Sequence, residues 1–168
     1  MPACSPFRSQ SMLRKAQAGM KQKADLKFEL MTAETVHGVS ELAKSCFSTP
    51  WSEAIYQREL DNPHGFTYVC IDHSDVVGFI NCGFVLDELT LNTLAVAAEY
   101  RRIGIARQLW NYAKEMINGI CTICYLEVRE SNLPAQALYH SLGFVQNGYR
   151  PRYYQEPEEA AVLMACNL

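Results

Sequence analysis

The chain has 168 residues, 49% of them hydrophobic and 20% charged, with a formal net charge of −3. That size supports one domain with a well-filled core, and the composition excludes a disordered chain or a disulfide-stapled miniature. No apolar run approaches the ~20 residues of a bilayer span, and seven cysteines scattered through the sequence read as reduced, largely buried thiols of a cytoplasmic protein.

Charge is unevenly distributed. The first 24 residues carry Arg8, Arg14, Lys15, Lys21 and Lys23, several serines and no acid. The rest then holds ten cations against eighteen acids, a net charge of −8. An acidic body suits a cationic substrate better than nucleic acid. Residues 1–25 are expected to be a disordered basic extension, or sequence upstream of a later start at Met20 or Met31, ahead of one domain over 26–168. A mitochondrial-type transit segment, which has the same composition, is the less favoured reading.

Phe28–Met31 predicts a first strand. Thr32 is placed to cap a helix in which Val36, Val39, Leu42, Ala43 and Cys46 recur at helical spacing. Pro50 breaks the chain, and Ser52 then caps a short helix to about Leu60. Phe66–Ile71 and Val76–Ile80 form a hairpin through the His73-Ser74-Asp75 turn, and Glu88–Val96 is a further strand. Ile105, Leu109, Trp110, Ala113 and Met116 mark an amphipathic helix closed by Asn118-Gly119. The apolar run Ile120–Val128 predicts a strand covered on both faces. Leu133–Leu142 is a helix stopped by Gly143, and 144–152 with 160–166 close the chain as an antiparallel pair. The order predicts an α/β (mixed α+β) domain, a mixed sheet with helices on both faces.

The loop Arg101-Arg102-Ile103-Gly104-Ile105-Ala106 carries the most chemical information. Small residues at a helix start let backbone N–H groups approach a ligand, and the helix dipole favours an anion. Two arginines beside it suggest a diphosphate. About thirty residues on, Leu126-Glu127-Val128-Arg129 leads through Asn132 into Ala135-Gln136-Ala137-Leu138-Tyr139 and Leu142-Gly143-Phe144. One compact unit therefore holds an anion site, a strand carboxylate, an asparagine and a tyrosine. Alone, each has a plain structural reading: an ordinary helix start, a Glu127 salt bridge with Arg129 or another arginine, Asn132 as a helix cap, Tyr139 as a packed phenol. Cys121-Thr122-Ile123-Cys124 has metal-like spacing but no second pair, and the four histidines form no cluster, so no metal is expected.

Arg101-x-x-Gly104-x-Ala106 resembles the acetyl-coenzyme A signature of the GNAT superfamily of N-acetyltransferases, and Asn132…Ala137-Leu138-Tyr139…Leu142-Gly143-Phe144 resembles its second signature. Pro50-Trp51-Ser52-Glu53, Leu91–Val96, Leu126–Arg129 and Arg152-Tyr153-Tyr154 narrow the resemblance to the ribosomal-protein-alanine N-acetyltransferases (RimI family). It runs from about Phe28 to the C-terminus. Two positions depart from the family pattern: Ala106 takes the second signature glycine, and Gln155 follows the tyrosine pair where proline is usual.

The resemblance implies a GNAT fold with a twisted, mostly antiparallel sheet and acetyl-CoA as cosubstrate. It places Arg102, Ile103, Gly104, Ile105, Ala106 and Arg107 on the diphosphate, and Leu94, Ala95, Val96 and Asn132 along the carrier arm. Glu127 becomes the general base, directly or through water, and Tyr139 the proton donor to the leaving thiolate. Arg101 is left to pair with acids. Trp51, Tyr153, Tyr154, Glu156, Glu158 and Glu159 are candidates for the border of a peptide cleft. The expected acceptor is the α-amine of an N-terminal alanine on a small-subunit ribosomal protein, attacked directly in a ternary complex, with neither nucleic acid nor membrane as a partner. Two alternatives stay open: a relative acting on other N-termini, lysines or small amines, and a non-catalytic CoA-binding module.

Overall fold

The computed structural model describes residues 26–168; the basic segment expected as an extension lies outside them. Chain order is β1 (Leu26–Leu30), α1 (Val36–Cys46), α2 (Glu53–Glu59), β2 (Gly65–Asp72), β3 (Asp75–Val85), β4 (Glu88–Val96), a 3-10 turn (Ala98–Tyr100), α3 (Ile105–Met116), β5 (Ile123–Arg129), α4 (Leu133–Ser141), β6 (Val145–Gln155) and β7 (Glu158–Asn167). The seven strands form one sheet in the order β1-β2-β3-β4-β5-β7-β6. All neighbours are antiparallel except β4 and β5, which run parallel because α3 returns the chain between them. The mixed sheet matches the architecture expected from the element order, and its mostly antiparallel pairing matches what the resemblance implies.

Two cores flank the sheet. On one face, Val36, Val39, Leu42 and Ala43 of α1 and Tyr56 of α2 pack on Val69, Ile71, Phe79 and Ala95. On the other, Ile105, Leu109, Trp110 and Ala113 of α3, Tyr139 of α4 and its C-cap Leu142 pack on Ile80, Leu89, Leu91, Leu126 and Val128. Trp110 lies 5.1 Å from Phe144, ring centre to ring centre. Gly78 sets how closely α3 approaches β3. A Cβ there would stand 2.9 Å from Ile105 Cγ2 and 3.4 Å from Leu109 Cδ1, so a side chain would push the start of α3 off the sheet.

Local expectations are corrected at three places. The residue capping α1 is Thr35, not Thr32; the Thr35 hydroxyl closes a turn onto Thr32, and α1 starts one residue later. Strand β5 begins at Ile123, and Ile120 is exposed. Nor is β5 covered on both faces. Cys124, Leu126 and Val128 are buried, while Ile123, Tyr125, Glu127 and Arg129 alternate with them and are only partly covered.

All six described cysteines are free. Burial pushes the Cys70 and Cys124 thiols up to about 12, and the Tyr56 phenol to about 12. The folded protein keeps these protons to a higher pH than the unfolded chain does. Their contribution to stability is therefore complete below about pH 9 and is lost as pH rises toward 12. Thermal melts under reducing conditions should show a midpoint level through neutral pH that falls steadily above about pH 9. A midpoint unchanged between pH 9 and 11 would contradict the protonated burial of these groups.

Candidate active site

Strands β4 and β5 pair only at Glu88–Ile123, Leu89–Cys124 and Thr90–Tyr125. Beyond Thr90 they separate, while β4 stays paired to β3 as far as Val96. The gap is the floor of a cleft of about 890 Å³. One wall is the α1–α2 connection with Phe47 and Trp51; the other is built by Asn132 and Tyr139 with Arg150, Tyr153 and Tyr154 of β6. A sheet opened in this way offers backbone groups of β4 to a slender ligand that replaces the missing strand.

The loop after β4 forms a candidate anion cradle at the start of α3. Gly104 caps the helix in the left-handed region (φ 93°), and Arg102 is also left-handed (φ 67°). Gln108 makes the first helical hydrogen bond, to the Gly104 carbonyl at 3.1 Å. Backbone N–H groups from Arg102 through Arg107 donate to no acceptor among the described residues, and no acid occupies the first turn. The side chain of Ile105 is buried and that of Ile103 packs against the same core, so both offer only backbone to a ligand. Ala106, like Gly104, brings no long side chain to the turn.

Three arginines near this cradle have different surroundings. Arg102 is exposed. Arg107 donates to the carbonyl and hydroxyl of Ser141, both at 3.1 Å, and so ties α3 to α4. Arg101 was expected to find an acid; instead its Nε donates to the Val96 carbonyl at 3.0 Å and fastens the loop to the end of β4. Of the three β4 residues expected along the carrier arm, Leu94 lines the cleft, Ala95 is buried beneath α1, and Val96 packs on the α3 core.

Glu127 projects from β5 into the cleft with its side chain 30% exposed. Its partner is Arg150, a residue the sequence reading did not single out, and not Arg129. Arg150 also lies 5.6 Å over the Tyr153 ring. Hydrogen bonding to Glu127 raises the Tyr153 phenol above its ordinary value. Arg129 holds the β6–β7 turn. It reaches Glu159 at 3.2 Å and the carbonyls of Pro157 and Glu156 at 3.1 and 3.0 Å, and it covers the Tyr154 ring at 4.2 Å. The acids Glu156, Glu158 and Glu159, expected as cleft candidates, do not line it. Glu159 is held below the ordinary carboxylate range by the Ser131 N–H and by Arg129. Two extra residues between Arg150 and Tyr154, relative to β7, make the β6 irregularity that carries the tyrosine pair; the proline of the turn is Pro157.

Tyr139 is 92% covered yet borders the cleft, its ring edge-on to Phe144 at 5.8 Å. Burial raises its phenol well above the ordinary value, so it stays protonated. Asn132 also lines the cleft, and its Oδ1 accepts the Ala135 N–H at 3.2 Å as the α4 cap. Gln136, between them in sequence, turns away to the Arg129 and Glu130 carbonyls at 3.1 and 2.9 Å. Cys124 is wholly buried with its thiol pKa raised, an environment that suppresses thiolate chemistry.

Residues 36–144 match the acetyltransferase (GNAT) family. The [ribosomal protein bS18]-alanine N-acetyltransferase of Haemophilus ducreyi is 33% identical over 148 residues, covering 83% of this chain and 99% of that protein. The Escherichia coli enzyme of the same name is 34% identical over 120 residues, covering 69% and 80%. The crystal structure of the E. coli ribosomal-protein-S18-alanine N-acetyltransferase superposes with a TM-score of 0.76 at 27% identity, over 84% of this chain and 93% of that one. Arabidopsis thaliana NAA60, solved with a bisubstrate analogue, shares the fold with a TM-score of 0.78 at 20% identity, over 84% and 97%. The chain belongs to the GNAT family of acetyltransferases and, within it, to the ribosomal-protein-alanine N-acetyltransferases.

Proposed function

We propose that this protein transfers the acetyl group of acetyl-CoA to the α-amine of an N-terminal alanine, with ribosomal protein bS18 as the substrate its relatives indicate. One observation carries the chemistry: the gap between β4 and β5 is bordered by both a carboxylate, Glu127, and a protonated phenol, Tyr139, beside a helix start with unused N–H donors.

The donor fits the residues present. The N–H groups of Arg102–Arg107, with the Arg102 side chain and the helix dipole, suit a diphosphate. The open edge of β4 at Leu94–Val96 suits the amide-bearing arm, with Asn132 opposite. When bound, acetyl-CoA supplies an activated thioester carbonyl. Glu127 receives a proton from the attacking amine, directly or through one water, as the new C–N bond forms. The C–S bond breaks, and Tyr139 gives its proton to the departing thiolate. An α-amine titrates near ~8 against ~10.4 for lysine, so an N-terminus reaches the neutral, nucleophilic state more easily. Direct attack is preferred, because the buried Cys124 is unsuited to carry an acyl group.

Residues 26–168 are proposed to act as a single catalytic domain, and 1–25 as an extension to it. Free, buried thiols support a reducing compartment, the cytoplasm. No helix among the described residues is long and apolar enough to cross a membrane.

Free-thiol release from acetyl-CoA is the test, offered with an Ala-initiated basic peptide, a peptide whose only amine is a lysine side chain, and spermidine. Turnover is expected with the first alone. Turnover of spermidine or lysine would move the substrate class, and CoA-induced thermal stabilisation without any turnover would favour a binding module.

A further inference from the structure

Asn92 is among the cleft residues that the acetyl-transfer chemistry leaves without a role. Asn92 is the extra residue of a bulge in β4: across the β3–β4 ladder Asn81 faces Thr93, but Cys82 faces Leu91. Such bulges re-aim side chains beside active sites. Here Leu91 and Leu94 turn into the α3 core, while Asn92 leaves on the α1–α2 face, the face Glu127 also occupies. Thr90 pairs with Tyr125, so Asn92 and Glu127 stand two residues further along each strand, on opposite lips of the gap.

Asn92 is oriented by a polar chain running back to α2. Its Nδ2 donates to Asn81 Oδ1 at 2.9 Å. Asn81, completely buried, donates its own Nδ2 to Glu59 Oε2 at 3.1 Å and to Thr67 Oγ1 at 2.8 Å. At the far end the His64 N–H donates to Asn62 Oδ1 at 3.0 Å, and Asn62 Nδ2 donates to Glu59 Oε1 at 3.1 Å. A carboxylate only accepts, so both asparagines turn their NH2 groups to Glu59. Asn81 therefore presents oxygen to Asn92, and Asn92 presents NH2 to Asn81. What remains is Asn92 Oδ1, which accepts no hydrogen bond from the described residues, on a side chain that lines the cleft.

We propose that Asn92 is a substrate-binding residue whose Oδ1 accepts an N–H of the incoming N-terminal residue across from Glu127, and that Glu59 and Asn81 are its positioning residues. This rests on the acetyl-transfer reading above. An amine that donates one N–H to each of two acceptors has its lone pair on the side away from both, free for attack on the carbonyl.

The test compares the unmodified protein, Asn92→Ala, Glu59→Gln and the double variant. The readouts are KM for an Ala-initiated peptide, KM for acetyl-CoA, thermal midpoint, and direct titration of the peptide onto CoA-loaded protein. Asn92→Ala should weaken peptide binding about five- to tenfold and leave acetyl-CoA unaffected. Glu59→Gln keeps its oxygen toward Asn62, which His64 pins, and offers NH2 to Asn81. The chain of bonds then reverses, and Asn92 turns NH2 into the cleft. A peptide defect of similar size should follow, although Glu59 lies outside the cleft lining. The double variant should be no worse than Asn92→Ala, whereas a merely structural Glu59 predicts added losses. Unchanged peptide affinity in Asn92→Ala, or additivity in the double variant, overturns the assignment. Absence of turnover by the unmodified protein overturns the function proposed above, and the peptide titration still decides the role of Asn92.

Discussion

Gly104→Asp should abolish acetyl-CoA binding while the protein stays folded. Gly104 starts α3 at φ 93°, a conformation that disfavours a side chain by ~1–2 kcal/mol. A Cβ there meets no atom within 4 Å, so the substitution does not clash inside the protein. Its side chain enters open space at the N-terminal end of α3, where the N–H donors go unused. An aspartate brings negative charge to a site whose dipole and donors are arranged for a diphosphate, and its carboxylate satisfies those donors internally. Charge-assisted hydrogen bonds contribute ~1.5–3 kcal/mol each, so losing two raises Kd by more than ~100-fold. Gly104→Ala separates strain from charge: it carries the backbone penalty and a methyl group, and should weaken binding less. Calorimetric titration with CoA measures both, with circular dichroism to check the fold. Normal CoA affinity in Gly104→Asp would falsify the cradle assignment.

The turn and helix start after β4 were legible in the sequence because their physics is local. Leu94-Ala95-Val96 ends a strand, Gly104 marks the turn, and Ile105, Leu109 and Ala113 repeat at the spacing that seats a helix on the sheet. The strand β5 was harder. Apolar residues at Ile120, Ile123 and Tyr125 alongside Cys124, Leu126 and Val128 mimic a strand buried on both sides. Its second face instead borders a cleft, because β4 leaves it after Thr90. That divergence is a property of strand pairing and has no signature in either strand alone. The same holds for Arg150. It reaches Glu127 from β6, with β7 lying between the two strands. Glu127 was legible as a carboxylate in an apolar strand; its partner, two strands away, was not. Asn92 shows the limit most clearly. In sequence it is one polar residue after Thr90 and Leu91, and only the register against Asn81 and Cys82 makes it a bulge. The acids of the β6–β7 turn were visible as charge, but the Arg129 and Ser131 contacts that draw Glu159 away from the cleft depend on tertiary packing.

The second large effect is expected at the two residues proposed to move protons, and the variants should differ in ways a packing defect cannot reproduce. Tyr139→Phe keeps the ring against Phe144 and removes only the hydroxyl. It should lower kcat by ~10²–10³-fold with KM for both substrates nearly unchanged, the mark of a group that acts in the transition state. Glu127→Gln should lower kcat by a comparable ~10²-fold, leave CoA affinity intact, and be partly rescued at high pH as the amine deprotonates unaided. Arg150, left without its partner, is more than half exposed and remains solvated, so stability should change little. The alkaline limb separates the two roles. Burial holds the Tyr139 proton well above the ordinary phenol range, so the unmodified enzyme should gain activity as the amine deprotonates and hold it past pH ~10. A loss of kcat between pH 8 and 9.5 that disappears in Tyr139→Phe would mean the phenol ionises early, and an ionised phenol has no proton to give the departing thiolate.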